Sequence, residues 1–129
     1  MHLFSVPKWL SEIQDILASR QNDDSLKKDI ADAIRKMSGS QPEVSVVIPA
    51  WNESKNLLPT LLCLSRQKTA KQVEFILVDN NSSDNTGELA ATCGFTVITE
   101  TTQGISFARQ AGLTAAKGKY HLCADADTL

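Results

Sequence analysis

From residue 43 onward the chain alternates short runs rich in valine and isoleucine with stretches whose apolar residues recur at helical spacing, and few folds absorb that alternation. Val44 to Ile48, Val73 to Val78, Phe95 to Ile98 and Tyr120 to Ala124 read as strands, each brief and largely apolar on both sides. Between them lie three helical patterns. Asn56 to Gln67 carries a leucine-rich face, Asp84 to Cys93 follows the candidate caps Ser82 and Ser83, and Ser106 to Ala116 ends at Gly118, which suits a left-handed cap. Strands buried on both faces and joined by helices require crossover connections, so the expected fold is α/β with a Rossmann-like parallel sheet. Ligands of such a sheet bind at the carboxyl ends of its strands.

Residues 1 to 42 have a different character. Ser5 can cap a helix that tolerates Pro7 in its first turn and buries Trp9, Ile13, Ile16 and Leu17. After the polar link Gln21-Asn22-Asp23, Asp24 can cap a second helix, with Leu26, Ile30, Ala33, Ile34 and Met37 as its stripe and a stop near Gly39. Neither helix can cover its apolar face alone, so the expectation is a helical hairpin packed on the domain that follows. Ser38-Gly39-Ser40-Gln41-Pro42 marks the boundary, giving a hairpin extension over 1–42 and an α/β domain over 43–129.

Composition narrows the partners. Thirteen basic and 15 acidic side chains give a net charge of -2 without a basic stripe, which argues against nucleic acid. No run approaches the roughly 18 apolar residues of a membrane span, and Lys8, Glu12 and Asp15 interrupt the start where a signal peptide is apolar. A cytoplasmic location is the default expectation. Cys63, Cys93 and Cys123 are odd in number and lack a C-x-x-C pair, so they read as small buried hydrophobes on a helix, a helix end and a strand.

Chemistry concentrates where the strands end. The first strand runs into Pro49-Ala50-Trp51-Asn52-Glu53, a turn without glycine, which excludes the G-x-G-x-x-G dinucleotide turn and the P-loop. Trp51 is as compatible with a core position as with stacking on a base, and Asn52 with capping the next helix. The second strand delivers Asp79 and then Asn80-Asn81-Ser82-Ser83-Asp84-Asn85-Thr86. That carboxylate can accept a hydrogen bond from a base or ribose, or the whole run can be a turn and helix cap. The last strand leads into Asp125-Ala126-Asp127-Thr128, two carboxylates that a loop can turn toward one hard cation, with Mn2+ or Mg2+ on a diphosphate as a natural occupant.

Taken in order, Val44 to Glu53, Val78 to Thr86, Gly104 through Arg109 to Gly118, and Asp125-Ala126-Asp127 resemble the inverting family 2 glycosyltransferases of the GT-A fold. The resemblance covers about residues 43 to 129 and leaves the helical leader unaccounted for. It implies that Ala50, Trp51, Glu53 and Asp79 contact base and ribose, with Trp51 standing where the family often has tyrosine. It implies that Arg109 organises the pocket and the neighbouring acids, whereas the plain alternative is a solvated helix arginine. Asparagine is more usual in the family where Gln103 and Gln110 stand. Asp125 and Ala126 fall to the nucleotide-sugar and Asp127, with Asp125, to the metal.

The implied chemistry is transfer from a nucleoside-diphosphate sugar, UDP-sugars favoured, to an acceptor hydroxyl of a glycan, lipid carrier or protein. The family's catalytic base lies well downstream of the D-x-D, and Leu129 follows Asp127 by two residues. The expectation is therefore a fragment that binds donor weakly and turns over poorly. Peripheral membrane association of the full protein and oligomers formed through an exposed strand edge are both compatible with this reading. Two rivals compete: a haloacid-dehalogenase-type phosphatase using Asp125-Ala126-Asp127-Thr128, which the position of the motif late in the chain disfavours, and a non-enzymatic interaction module.

Overall fold

The computed structural model describes residues 7–20 and 24–126. The Ser5 cap, the 21–23 link and Asp127 lie outside the described residues. Two helices, α1 (Lys8–Arg20) and α2 (Asp24–Met37), precede β1 (Val44–Ala50), α3 (Leu57–Ser65), β2 (Val73–Asp79), α4 (Thr86–Thr92), β3 (Thr96–Thr99), α5 (Ile105–Ala115) and β4 (Tyr120–Cys123).

The four strands form one parallel sheet in the order β3-β2-β1-β4. β1 is followed on one side by β2 and on the other by β4, so the chain reverses its direction of travel across the sheet between them, where a crevice opens at the carboxyl edge. Alternation along the central strands sorts their side chains onto two faces. Val46, Ile48, Phe75 and Leu77 face a core shared with Leu57, Leu61, Leu89 and Phe95, while Val47, Ile76 and Val78 meet Ala108 of α5. An added Cβ at Gly112 would lie 2.2 Å from Val47 Cγ1, so the glycine lets α5 approach the sheet closely.

The helical hairpin joins the first of these cores. Ile13, Leu26, Ile30 and Ile34 are each at most 2% exposed and belong to the same cluster as β1, β2 and α3. The extension is thus packed on the α/β domain, as two half-apolar helices demand. Trp9, expected in the stripe of α1, is instead exposed.

Three local expectations are corrected. β4 is exposed along all four residues, because it pairs with β1 alone among the described strands and α5 packs chiefly on β1 and β2. Cys123 is therefore exposed, whereas Cys93 is buried and Cys63 half-buried. Gly118 is not a left-handed cap: α5 ends at Ala115, and an added Cβ at Gly118 would meet Ser45 Oγ at 2.6 Å. Ser82 and Ser83 do not cap α4, which begins after Asn85 without a side-chain cap bond. Among the described residues no helix is long and apolar enough to cross a membrane.

Candidate functional site

The carboxyl ends of β1 and β2 are joined by a network of turn side chains. Asn52, at φ 50, takes the left-handed conformation that asparagine tolerates, and its Oδ1 accepts the Ser83 N–H at 2.8 Å. In return the Asn52 N–H donates to Ser82 Oγ at 2.9 Å. Glu53 N–H donates to Thr86 Oγ1 at 3.0 Å and Ser54 N–H to Asp84 Oδ2 at 3.2 Å. Asn52 therefore bridges two turns rather than capping α3, whose own cap position is Asn56.

Asp84 is the polar centre of this network. It also accepts from the Thr86 N–H and hydroxyl. Desolvation pushes its carboxyl up, but the hydrogen bonds from the Thr86 and Ser54 side chains and backbones outweigh it and hold the pKa below the ordinary aspartate value.

The segment after β4 is fixed from the other side of the crevice. Ala124 N–H continues the ladder to Val47 carbonyl oxygen at 3.0 Å, and the buried Thr60 hydroxyl donates to the Ala126 carbonyl at 2.8 Å. Val47 and Pro49 direct their backbone polar groups toward β4, whereas Ala50 accepts from Asn80 N–H at 2.8 Å on the β2 side. β4 stops opposite Val47, so the missing N–H of Pro49 costs no ladder bond.

Between these walls lies a cavity of about 330 Å³ lined by Ala50, Trp51, Glu53 and Asn80, by Gln103 to Ile105 and Ala108, and by Asp125 and Ala126, with Pro49 beneath. Five residues expected at the site, Ala50, Trp51, Glu53, Asp125 and Ala126, thus converge on one crevice at the β1/β4 reversal. Trp51 is 54% exposed, so its ring stands at the rim and not in the core. Asp79 is half-buried beside the cavity, outside its lining, with Oδ1 accepting the Ser82 N–H at 3.1 Å and Oδ2 close over Gly87. Arg109 is exposed on α5, next to the lining residue Ala108.

Asn80 is a site residue that its sequence context hides. Its side chain is 4% exposed and engages Glu100, Thr102 and Gly104 from within the wall of the cavity. The signal available was a carboxamide directly after an apolar strand, embedded in a run of turn formers that disguised it.

Charge defines what the crevice can accept. Among the described residues two carboxylates, Glu53 and Asp125, line it and no cationic side chain does. Carboxylate oxygens of this kind suit a hard cation such as Mg2+ or Mn2+, which takes only one or two protein carboxylates. No group of three or more His, Cys, Asp or Glu side chains placed to hold a metal ion occurs among the described residues.

A Rossmann-like parallel sheet with an acidic crevice at its reversal places the chain among the α/β proteins that bind ligands at the carboxyl ends of their strands. The family model for glycosyl transferase family 2 matches residues 45–129, and the chain belongs to that family. It is 36% identical over 94 residues to the dolichol-phosphate mannosyltransferase of Saccharomyces cerevisiae, covering 66% of this chain and 35% of that protein. A dolichol-phosphate mannosyltransferase of Mycosarcoma maydis is 30% identical over 122 residues, 80% of this chain and 42% of its own. The chain therefore spans less than half the length of these curated relatives.

Among solved structures, S. aureus TarS 1-349 in complex with UDP superposes with a TM-score of 0.60 at 27% identity, over 66% of this chain and 27% of that one. A mannosyltransferase of Pyrobaculum calidifontis in complex with GDP-Man and Mn2+ shares the fold, with a TM-score of 0.60 at 19% identity over 81% and 39% of the two chains. The sheet is that of the GT-A glycosyltransferases.

Proposed function

We propose that this chain supplies the donor-binding half of a metal-dependent glycosyltransferase that moves a sugar, with inversion, from a nucleoside-diphosphate donor to an acceptor hydroxyl. UDP-sugars are the favoured donors. The observation that carries the reading is the convergence of Ala50, Trp51, Glu53, Asp125 and Ala126 on one crevice at the sheet reversal.

In this reading the rim-standing Trp51 ring stacks on the base, as an exposed aromatic face beside a concave site can. Glu53 and Asp79 accept hydrogen bonds from base and ribose, and Arg109 reaches from α5 toward the donor or its acids. Asp125 and Ala126 position the sugar-nucleotide, and Asp127 with Asp125 would hold Mn2+ or Mg2+. When bound, a divalent cation held by those acids would supply positive charge against the diphosphate leaving group.

The test is a calorimetric titration with UDP, with and without Mn2+. Metal-dependent heat is expected, and Asp127→Ala should remove it while the circular dichroism spectrum stays unchanged. Unaltered nucleotide binding by Asp127→Ala in the presence of Mn2+ would contradict the role given to that acid. An absence of metal-dependent heat with any nucleoside diphosphate would favour an interaction module instead.

A further inference from the structure

β4 pairs with β1 along one side, and along its other side no described strand pairs with it. The Tyr120 N–H donates to the Glu43 carbonyl at 2.9 Å and the Ala124 N–H to the Val47 carbonyl at 3.0 Å, so these residues spend their amides on β1. By the alternation of a ladder, Leu122 shares that side, and His121 and Cys123 turn their N–H and C=O groups to the open side. All four residues of β4 are exposed, with Tyr120 and Leu122 each at 55%. An open strand edge flanked by apolar side chains is a template for another strand.

The charge around that edge is symmetric about Leu122. Lys117 and Lys119 stand five and three residues before it, and Asp125 and Asp127 three and five residues after it. Lys119 and Asp125 are both exposed. When a second β4 lies antiparallel with Leu122 opposite Leu122, Lys119 of each copy meets Asp125 of the other, Tyr120 meets Ala124, and His121 meets Cys123. The outward-facing His121 and Cys123 then form hydrogen-bonded pairs. Leu122 falls at a non-hydrogen-bonded pair, where opposed side chains approach most closely. Of the registers the ladder allows, this one opposes the two leucines and matches both lysines to aspartates.

We propose that β4 is a homodimerisation edge, through which two copies of this chain pair antiparallel about a two-fold axis at Leu122. The pairing joins two four-stranded sheets into one continuous sheet. Asp125, which lines the crevice, then has Lys119 of the second copy beside it, so each copy contributes a cation to the rim of the other's crevice. The proposal stands on the edge of β4 and is independent of what the crevice binds.

The test is sedimentation equilibrium of the whole 129-residue chain. So short an edge makes a weak contact, so dimers are expected at about 100 µM and monomers at about 1 µM, with added salt favouring the monomer. Lys119→Asp sets like charges together at two symmetry-related places and should weaken association about tenfold or more, and adding Asp125→Lys should restore it. Leu122→Lys should abolish the dimer. All three positions are exposed, so the variants should keep the circular dichroism spectrum of the parent. If Leu122→Lys does not fold, the charge exchange and cross-linking decide. For the register, Leu122→Cys in a Cys123→Ser background should oxidise to a covalent dimer beyond the level of Cys123→Ser alone, and His121→Cys in the same background should not. A chain that stays monomeric at about 100 µM leaves this edge to a different polypeptide segment and overturns the proposal. So does a dimer that survives Leu122→Lys, or a loss in Lys119→Asp that the charge exchange does not rescue.

Discussion

The Oδ1 of Asn52 accepts the backbone N–H of Ser83 at 2.8 Å, tying the turn after β1 to the turn after β2 across 31 residues of sequence. The reciprocal bond from Asn52 N–H to Ser82 Oγ makes this a two-point latch. Because Trp51 and Glu53 flank Asn52, the latch also sets where those two side chains stand.

Asn52→Ala removes the acceptor and forces alanine into a left-handed conformation. At an exposed turn the expected loss is about 1–2 kcal/mol. A thermal melt should fall by roughly 3–6 °C, and UDP affinity should fall with it. Asn52→Gly, which keeps the backbone conformation, should recover part of the stability.

Asp84 makes the same turn region sensitive to acid. Its carboxyl lies below the ordinary value of 3.8 in the folded chain, so the unfolded chain takes up the proton first as pH falls. The stabilisation is complete above the unfolded pKa and is lost as pH drops through the lower folded one. Asp84→Asn should therefore flatten the decline of the melting temperature between about pH 5 and pH 2, measured at constant ionic strength.

How much of this was legible before the structure depends on whether a residue's role is local or distributed. Strands β1 and β2 were readable because valine and isoleucine runs buried on both faces leave few alternatives. The parallel sheet followed from the helices between them. β4 was misjudged as buried, since Leu122 and Cys123 are as apolar as core residues and only strand order reveals that they stand at an edge. Ser82 and Ser83 looked like caps because cap and latch use the same hydroxyl and amide groups, and the partner of each lies about 30 residues away. Asn80 escaped notice for the same reason: its partners lie 20 to 24 residues downstream.

Gly112 tests the packing of α5 on the sheet. In Gly112→Ala the new methyl would meet Val47 Cγ1 at 2.2 Å and Val78 Cγ2 at 3.0 Å, two contacts inside a closed core. The expected cost is about 1–3 kcal/mol, read by urea unfolding. Since Ala108 and Ile105 lie on the same helix and line the cavity, UDP affinity should weaken together with stability.

The three thiols should differ in reactivity in the native state. Burial pushes Cys93 up to about 11, only partly offset by the charge of Lys27, whereas Cys123 is exposed on β4. At about pH 8 a thiol reagent should modify Cys123 rapidly and Cys93 only after denaturant is added. Rapid native labelling of Cys93 would show that the core beneath α4 opens readily.

The most direct test of the donor-site account is an NMR titration of the whole chain with UDP and Mg2+, mapped residue by residue. Signals of Ala50, Trp51, Glu53, Gln103, Gly104 and Asp125 should move together with one saturation curve, and without the metal the shifts should shrink markedly. Shifts confined to the hairpin or to β3, or a set of cavity signals indifferent to UDP at any metal concentration, would contradict it.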